Sequence, residues 1–329
     1  MRIIAGKNVN NVWISAIHLI NEIGRPEPSR VGDVRVAPFP VCTVYDNPTE
    51  RVLFDPVRDA NPIFHLHEAL WMLAGENDAT YLDTFVSDFS ARFAEEDGLM
   101  HGAYGYRWRR HFQKVSGGSY TGLPIDQLRQ VIRILLKDTS SRQAVIQMWD
   151  PEVDLGTHVL KDRPCNTEVL LRVIEGKLDL TTLVRSNDIV YGAYGANAVH
   201  FTVLQEYLAA QIGVGVGTFR QISHNWHMYD NTRHLANIES ANRYHSYPGT
   251  IPLVNDPDFF DKEVRAYLRD PDTALVAKNH FLENTARPMY KANAARKAKD
   301  YEQAFNWARQ IIAPDWKQAT VQWLERRKK

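Results

Sequence analysis

Two β-rich runs joined by one tight turn fix the centre of this chain. Thr167 to Val173 and Lys177 to Val184 flank Glu175-Gly176, a pair suited to a short hairpin turn. A hairpin brings its two outer ends together, so the segment before Thr167 must lie beside the segment after Val184. The first is Arg163-Pro164-Cys165-Asn166, and the second is Arg185-Ser186-Asn187-Asp188. The hairpin therefore sets a thiol beside an arginine and a serine.

The flanking segments alternate between the two secondary-structure periods without regular βαβ order. Residues 62–75 read as a buried helix closed by Gly75, and residues 125–137 as an amphipathic helix with Leu128, Val131, Ile132 and Leu135 on one face. Ala144 to Trp149 reads as a strand, residues 197–212 as a long apolar helix ending at Gly213, and Gln221 to Tyr229 as a further strand. Gly213-Val-Gly-Val-Gly217 lacks the Lys-Ser/Thr of a phosphate loop and is expected to be a turn. From about Asp256 the chain becomes charged, Ala-rich and helical. The pattern predicts an α+β fold, with a catalytic domain over 1–255 and a helical C-terminal extension over 256–329 packed on it.

Charge gives no hint of a polyanionic partner. Lys plus Arg number 39 and Asp plus Glu 39, so no general field favours DNA, RNA or an anionic membrane surface. No stretch approaches the roughly 20 apolar residues of a membrane span, and the N-terminus lacks the apolar core of a signal peptide. Cys42 and Cys165 are the two cysteines. They make no disulfide framework, and no Cys or His spacing suggests a metal site. A cytoplasmic location is expected, where a lone thiol stays reduced.

Taken alone, Cys165 has two readings. A buried structural cysteine is the commoner fate of a free thiol. Arg163 and Arg185 beside it point instead to a stabilised thiolate at an anion site. The rest of the chain favours the second. Pro164-Cys165-Asn166, the Gly176-Lys177-Leu178 turn and Arg185-Ser186-Asn187-Asp188 resemble the core of the thymidylate synthase family. His67-Glu68-Ala69-Leu70-Trp71, Tyr104-Gly-Tyr-Arg-Trp108, Asp126-Gln-Leu with Ser141-Arg142, and Gly217-Thr-Phe219 with His227-Met-Tyr229 are similar to its other motifs, in the family's order. The likeness covers roughly residues 20–255.

That resemblance implies roles. Cys165 would add to C6 of a pyrimidine nucleotide and make C5 nucleophilic toward 5,10-methylenetetrahydrofolate. Glu68 would manage protons through water, with His65 or His67 as a candidate partner for its charge, and Tyr104 would stand near the C5 proton. Arg185, Ser186 and, in a looser match, Arg30 would bind the phosphate. Arg142 matches an arginine that the family contributes across a twofold axis, which implies a homodimer. His227 and Tyr229 would hold the sugar, and Asp188 the pterin of the folate. No metal is implied.

Departures from the family pattern set the expected chemistry. Asn166 stands where the family has a histidine in its base-reading network. Counting from Arg185 and from His227 differs by one, so an insertion lies within Tyr191 to Asn197, and Asn197 falls at the base-reading position. An amide can serve uracil or cytosine by flipping. Ser90 and Phe93 stand where the family has a shielding tryptophan pair, Gln143 replaces a second arginine after Arg142, and the chain ends in Glu-Arg-Arg-Lys-Lys instead of an apolar lid. Admitted water would then quench the one-carbon adduct in place of hydride. The expectation is 5-hydroxymethylation of CMP or dCMP, as in the cytidylate hydroxymethylases of nucleoside-antibiotic pathways. The alternatives are a thymidylate synthase or a hydroxymethylase acting on dUMP, and, from another class, a non-catalytic nucleotide- or RNA-binding relative.

Overall fold

The expected hairpin is the middle of a mixed eight-stranded sheet in the computed structural model, which describes residues 1–116, 118–156 and 161–328. Its strands are β1 (Arg2–Gly6), β2 (Arg25–Glu27), β3 (Val34–Val36) and β4 (Val41–Tyr45). A separate exposed ribbon, β5 (Gln113–Ser116) and β6 (Ser119–Pro124), comes next. The sheet resumes with β7 (Val145–Gln147), β8 (Asn166–Ile174), β9 (Lys177–Asp188) and β10 (Gly215–Tyr229). The order is β1-β4-β10-β9-β8-β7, with β2 and β3 added beside the far half of β10. Glu175 and Gly176 both have positive φ, 49° and 72°, as a two-residue turn matching the strand twist requires.

The principal helices are α1 (Val9–Ile23), α2 (Pro62–Ala74), α3 (Phe89–Phe93), α4 (Gln127–Lys137) and α5 (Asn197–Ile212). Beyond these come α6 (Pro257–Arg269), α7 (Arg287–Lys297), α8 (Tyr301–Gln310) and α9 (Pro314–Glu325). The fold is α+β, as the patterning predicts. Asn61 caps α2 by accepting from Phe64 N at 3.1 Å, Pro62 supplies the preset first-turn φ, and Gly75 ends the helix. α2 and α5 are apolar on nearly every face and lie buried against each other. Polar groups on these two helices are therefore carried into the interior.

The C-terminal helices are tied to that core by polar contacts. Tyr267 on α6 shares a 2.9 Å hydrogen bond with His67 on α2. Arg109 joins Asp126, the N-cap of α4, to Asp261 on α6 at 2.9 and 3.1 Å. Just beyond α9, Arg326 and Arg327 clamp Asp59 at 2.7 and 2.8 Å.

Two local expectations need correction. Gly213-Val-Gly-Val-Gly217 is a turn only at its start. Gly213 closes α5, and β10 already runs from Gly215. β10 is thus longer than the Gln221–Tyr229 segment, because its glycine-rich start lacks the β-branched signature of a strand. The insertion inferred between Tyr191 and Asn197 coincides with a π-helical stretch over Ile189–Ala196. One extra residue in a helical turn is absorbed by widening it to i→i+5 bonding.

Candidate active site

The hairpin does what its topology demands. Arg185 N donates to Cys165 O at 2.9 Å, and the Arg185 guanidinium reaches back to Pro164 O at 3.0 Å and to the Cys165 sulfur at 3.9 Å. It also lies over the Trp149 ring, 5.3 Å from the centroid. The parallel register of β9 and β10 sets Asn225 beside Ser186 and His227 beside Asp188. A cleft of about 310 Å³ opens here. Its walls include Cys165, Ser186 and Asp188 from the hairpin, Glu68 from α2, Tyr104, and Asn197 and His200 from α5. Side chains far apart in sequence thus converge on one space.

Burial pushes the Cys165 thiol up, and the Arg185 cation opposes it. Asp162, three residues earlier, lines the same cleft and accepts Gly102 N at 3.0 Å; burial raises its carboxyl to about 6. Burial likewise raises the Tyr104 phenol, whose hydroxyl is in hydrogen-bond contact with Asn166. Tyr104 is held by a close backbone packing: a Cβ at Gly105 would meet Met72 O of α2 at 2.1 Å, so only glycine fits. The segment is further stapled by Arg107, which is fully buried. It forms a bidentate pair with Asp154 at 2.9 and 3.1 Å and donates to His101 O at 2.7 Å. Asp154→Ala would strand that cation. A loss of about 3–5 kcal/mol in urea unfolding is expected, and a loss below about 1 kcal/mol would show that the staple contributes little.

The base of the cleft is an amide network with a fixed sense. Gln221 Nε2 donates to the Ala193 carbonyl at 3.3 Å. A backbone carbonyl can only accept, so Gln221 must turn its oxygen the other way. That oxygen accepts from Asn187 Nδ2 at 2.9 Å and from Asn197 Nδ2 at 3.2 Å. Asn197 Nδ2 also meets Asn187 Oδ1 at 3.2 Å, and Asn197 Oδ1 accepts from Asn166 at 3.4 Å. Asn166 in turn accepts from the Thr182 hydroxyl at 3.2 Å. Every one of these side chains is buried.

Glu68 has a different partner from those expected. His67 is occupied by Ile63 O at 2.7 Å and by Tyr267, and burial lowers it to about 4, which keeps it neutral. Burial also holds His65 well below the usual histidine range. Instead His200, one turn along α5 from Asn197, brings its Nε2 to 2.8 Å from Glu68 Oε2. Sequence reasoning missed His200, though its i+3 spacing from Asn197 on an apolar helix was a usable signal. It also missed Asp162, Gln221 and Asn187.

The remaining expected residues divide. His227 accompanies Tyr229, their rings edge-on at 5.2 Å, and shares a 2.7 Å bond with Asn225. Burial lowers the His227 imidazole, and the Asp188 carboxylate across the register opposes that. Tyr229 feels the charges of Asp188, Cys165 and Arg30, which places Arg30 on its exposed loop at the same corner. Asp188 accepts Tyr191 N at 2.6 Å, capping the π-helical stretch. Arg142 is exposed on the loop after α4 and is not among the cleft-lining residues. Ser90 does not face the cleft: its hydroxyl donates to Asp83 at 2.6 Å. Phe89 and Phe93, 4.8 Å apart, line a second cavity of about 470 Å³ with Phe64, Arg58 and Arg92. This cavity shares Glu68, Tyr191 and Ala196 with the first. Among the described residues no acidic, His or Cys cluster could hold a metal ion, and no helix is long and apolar enough to cross a membrane.

The profile of the thymidylate synthase family matches residues 13–265. A deoxyuridylate hydroxymethyltransferase of Pseudomonas phage M6 is 39% identical over 348 residues, covering 100% of this chain and 95% of that protein. Another of the same description, from Bacillus phage SP01, is 32% identical over 216 residues, covering 66% of this chain and 55% of that protein. A third, from Delftia phage PhiW-14, is 28% identical over 192 residues, 56% of this chain and 50% of that protein. With a family match over most of its length and a full-length relative, this chain belongs to the thymidylate synthase family.

Proposed function

We propose that this protein hydroxymethylates C5 of dUMP, using 5,10-methylenetetrahydrofolate and water and releasing tetrahydrofolate. The orientation of the Asn197 amide carries the choice of base. We read the two inward contacts, each at 3.2 Å, as one Nδ2 N–H shared between Gln221 Oε1 and Asn187 Oδ1, which leaves Asn197 its second N–H and, beside the bond from Asn166, one oxygen lone pair for the base. Uracil offers the complement, a carbonyl at position 4 and an N–H at position 3. Cytosine offers the reverse. To bind it, Asn197 must flip and press its oxygen against Asn187 Oδ1 and Gln221 Oε1, losing the shared inward bond and the one it accepts from Asn166. The cytosine expectation took the amide as free to turn, and the network removes that freedom. The names of the phage relatives also support uracil and deoxyribose.

In this reading Cys165 adds to C6, while Glu68 and Tyr104 move protons at the ring. Arg185, Ser186 and Arg30 take the phosphate, His227 and Tyr229 the sugar. Asn166 completes the network behind Asn197, and Asp188 holds the pterin. Methylenetetrahydrofolate supplies the one-carbon unit at the oxidation level of formaldehyde. The second cavity fits such a molecule: Phe64, Phe89 and Phe93 offer flat apolar walls, and Arg58 and Arg92 offer cations for an acidic tail. Arg142 reaches a phosphate only in a homodimer. The exposure of Val145, its register partner Leu170, and Ile174 on the same sheet supports an interface there.

Incubating the protein with dUMP and methylenetetrahydrofolate, with CMP and dCMP in parallel, tests the proposal by mass spectrometry. The expected product is 5-hydroxymethyl-dUMP, with no dihydrofolate formed. Appearance of dTMP with stoichiometric dihydrofolate would make the protein a synthase, and product from CMP alone would reverse the choice of base.

A further inference from the structure

Catalysis of hydroxymethylation needs something that catalysis of methylation must avoid: a water molecule held and deprotonated beside the one-carbon unit. From the buried pair in the cleft we infer that His200, with Glu68, is the base that activates this water, a role that rests on the hydroxymethylase reading above. Four observations support it. His200 and Glu68 both line the Cys165 cleft. Their Nε2 and Oε2 atoms are 2.8 Å apart, near enough to share a charge. Yet His200 Nδ1 and Nε2 and Glu68 Oε2 have no aligned hydrogen-bond partner among the described residues, although both side chains belong to residues more than nine-tenths buried. Buried polar atoms facing an open cavity call for a guest that can both donate and accept, and water is the smallest such guest. Finally, His200 lies one turn of α5 beyond Asn197, so the helix that orients the base also aims the imidazole.

The step begins once tetrahydrofolate has departed, when C5 carries an exocyclic methylene and C6 is still bonded to the Cys165 sulfur. Water oxygen bonds to the methylene carbon, and His200 takes the water proton. The electron pair of the methylene double bond moves onto C5 and O4. That enolate collapses, restores C5=C6 and expels the Cys165 thiolate. The proton leaves His200 for solvent. The water proton and the C5 proton together equal the two hydrogens that separate tetrahydrofolate from its methylene form, so no oxidant or reductant is needed.

The test separates formation of the methylene from its capture. In a single turnover, with enzyme in excess over dUMP labelled by tritium at C5, His200→Gln is expected to release tritium at a rate within about threefold of the wild type. Hydroxymethyl product should fall at least about 30-fold. An added thiol, which needs no base at this position, should then trap the methylene as a thioether. Covalent adduct formation with 5-fluoro-dUMP, which cannot lose its C5 substituent as a cation, confirms folding of this variant and of His200→Asn without requiring turnover. If tritium release and product fall together in a variant that forms the adduct, or if neither falls, His200 is not the water base. If the wild type releases tritium from dUMP but yields dTMP, the hydroxymethylase reading fails instead.

Discussion

Cys165→Ser is expected to bind dUMP and to turn it over at least about 10⁴-fold more slowly than the wild type. The hydroxyl fits the space of the thiol, so binding and folding persist. It ionises far too weakly to add to C6, and without that bond C5 stays a poor nucleophile. The local geometry sharpens the prediction. Burial pushes the thiol up, and the Arg185 cation at 3.9 Å pulls it back. The reactive form is the thiolate, which is lost as pH falls through the thiol's pKa, so kcat/KM should rise with pH on the acid side. Arg185→Ala removes the opposing cation and should move that rise to higher pH, in addition to weakening phosphate binding. Both effects are read from pH profiles of single-turnover rates and from acid-quenched adduct. Turnover by Cys165→Ser within about tenfold of the wild type would remove Cys165 from the reaction.

The parts of this site that sequence revealed are those fixed by local rules. The Glu175-Gly176 turn forces Cys165 and Arg185 together in any sheet that contains the hairpin. The α2 boundaries reflect Asn61, Pro62 and Gly75. The counting mismatch pointed to Tyr191 to Asn197, and most of that segment lies in the π-helical stretch over Ile189–Ala196. What stayed hidden depends on contacts between distant segments. Glu68 and His200 are 132 positions apart, and the spacing of His200 from Asn197 places it on the face of the base-reading residue without showing that Glu68 on another helix meets it in place of the nearer His65 or His67. The orientation of Asn197 is set by Gln221 through a carbonyl on the intervening turn, so a free amide in the sequence becomes a committed one in the fold. Ser90 misled for a related reason: its position matched a shield, but Asp83 draws its hydroxyl away from the cleft. The N-terminal strands β1 to β4 gave weak signals because they are short and gain their stability from pairing with β10 and with one another.

Asn197→Asp should reverse the balance between uracil and cytosine. The inward atom of Asn197 faces two oxygens, Asn187 Oδ1 and Gln221 Oε1, each at 3.2 Å from the present Nδ2. An ionised carboxylate there would be repelled by both, so the acid is driven to hold a proton and donate it inward. The outward side is then left with acceptors alone. O4 of uracil loses its donor and meets an oxygen, while N4–H of cytosine gains an acceptor. One lost hydrogen bond plus the oxygen–oxygen contact amounts to about 3 kcal/mol, or roughly a 10²-fold fall in kcat/KM for dUMP. The preference for dUMP over dCMP should fall by at least as much. Gln221→Leu tests the same logic from outside the first row of contacts. It removes the oxygen that commits Nδ2 inward, so the amide can flip at lower cost and the dUMP preference should drop about tenfold. Competition assays with mixed dUMP and dCMP read both ratios directly. An unchanged ratio in Gln221→Leu would mean that the network packs the site without choosing the base. The reversal in Asn197→Asp would then reflect the new side chain alone.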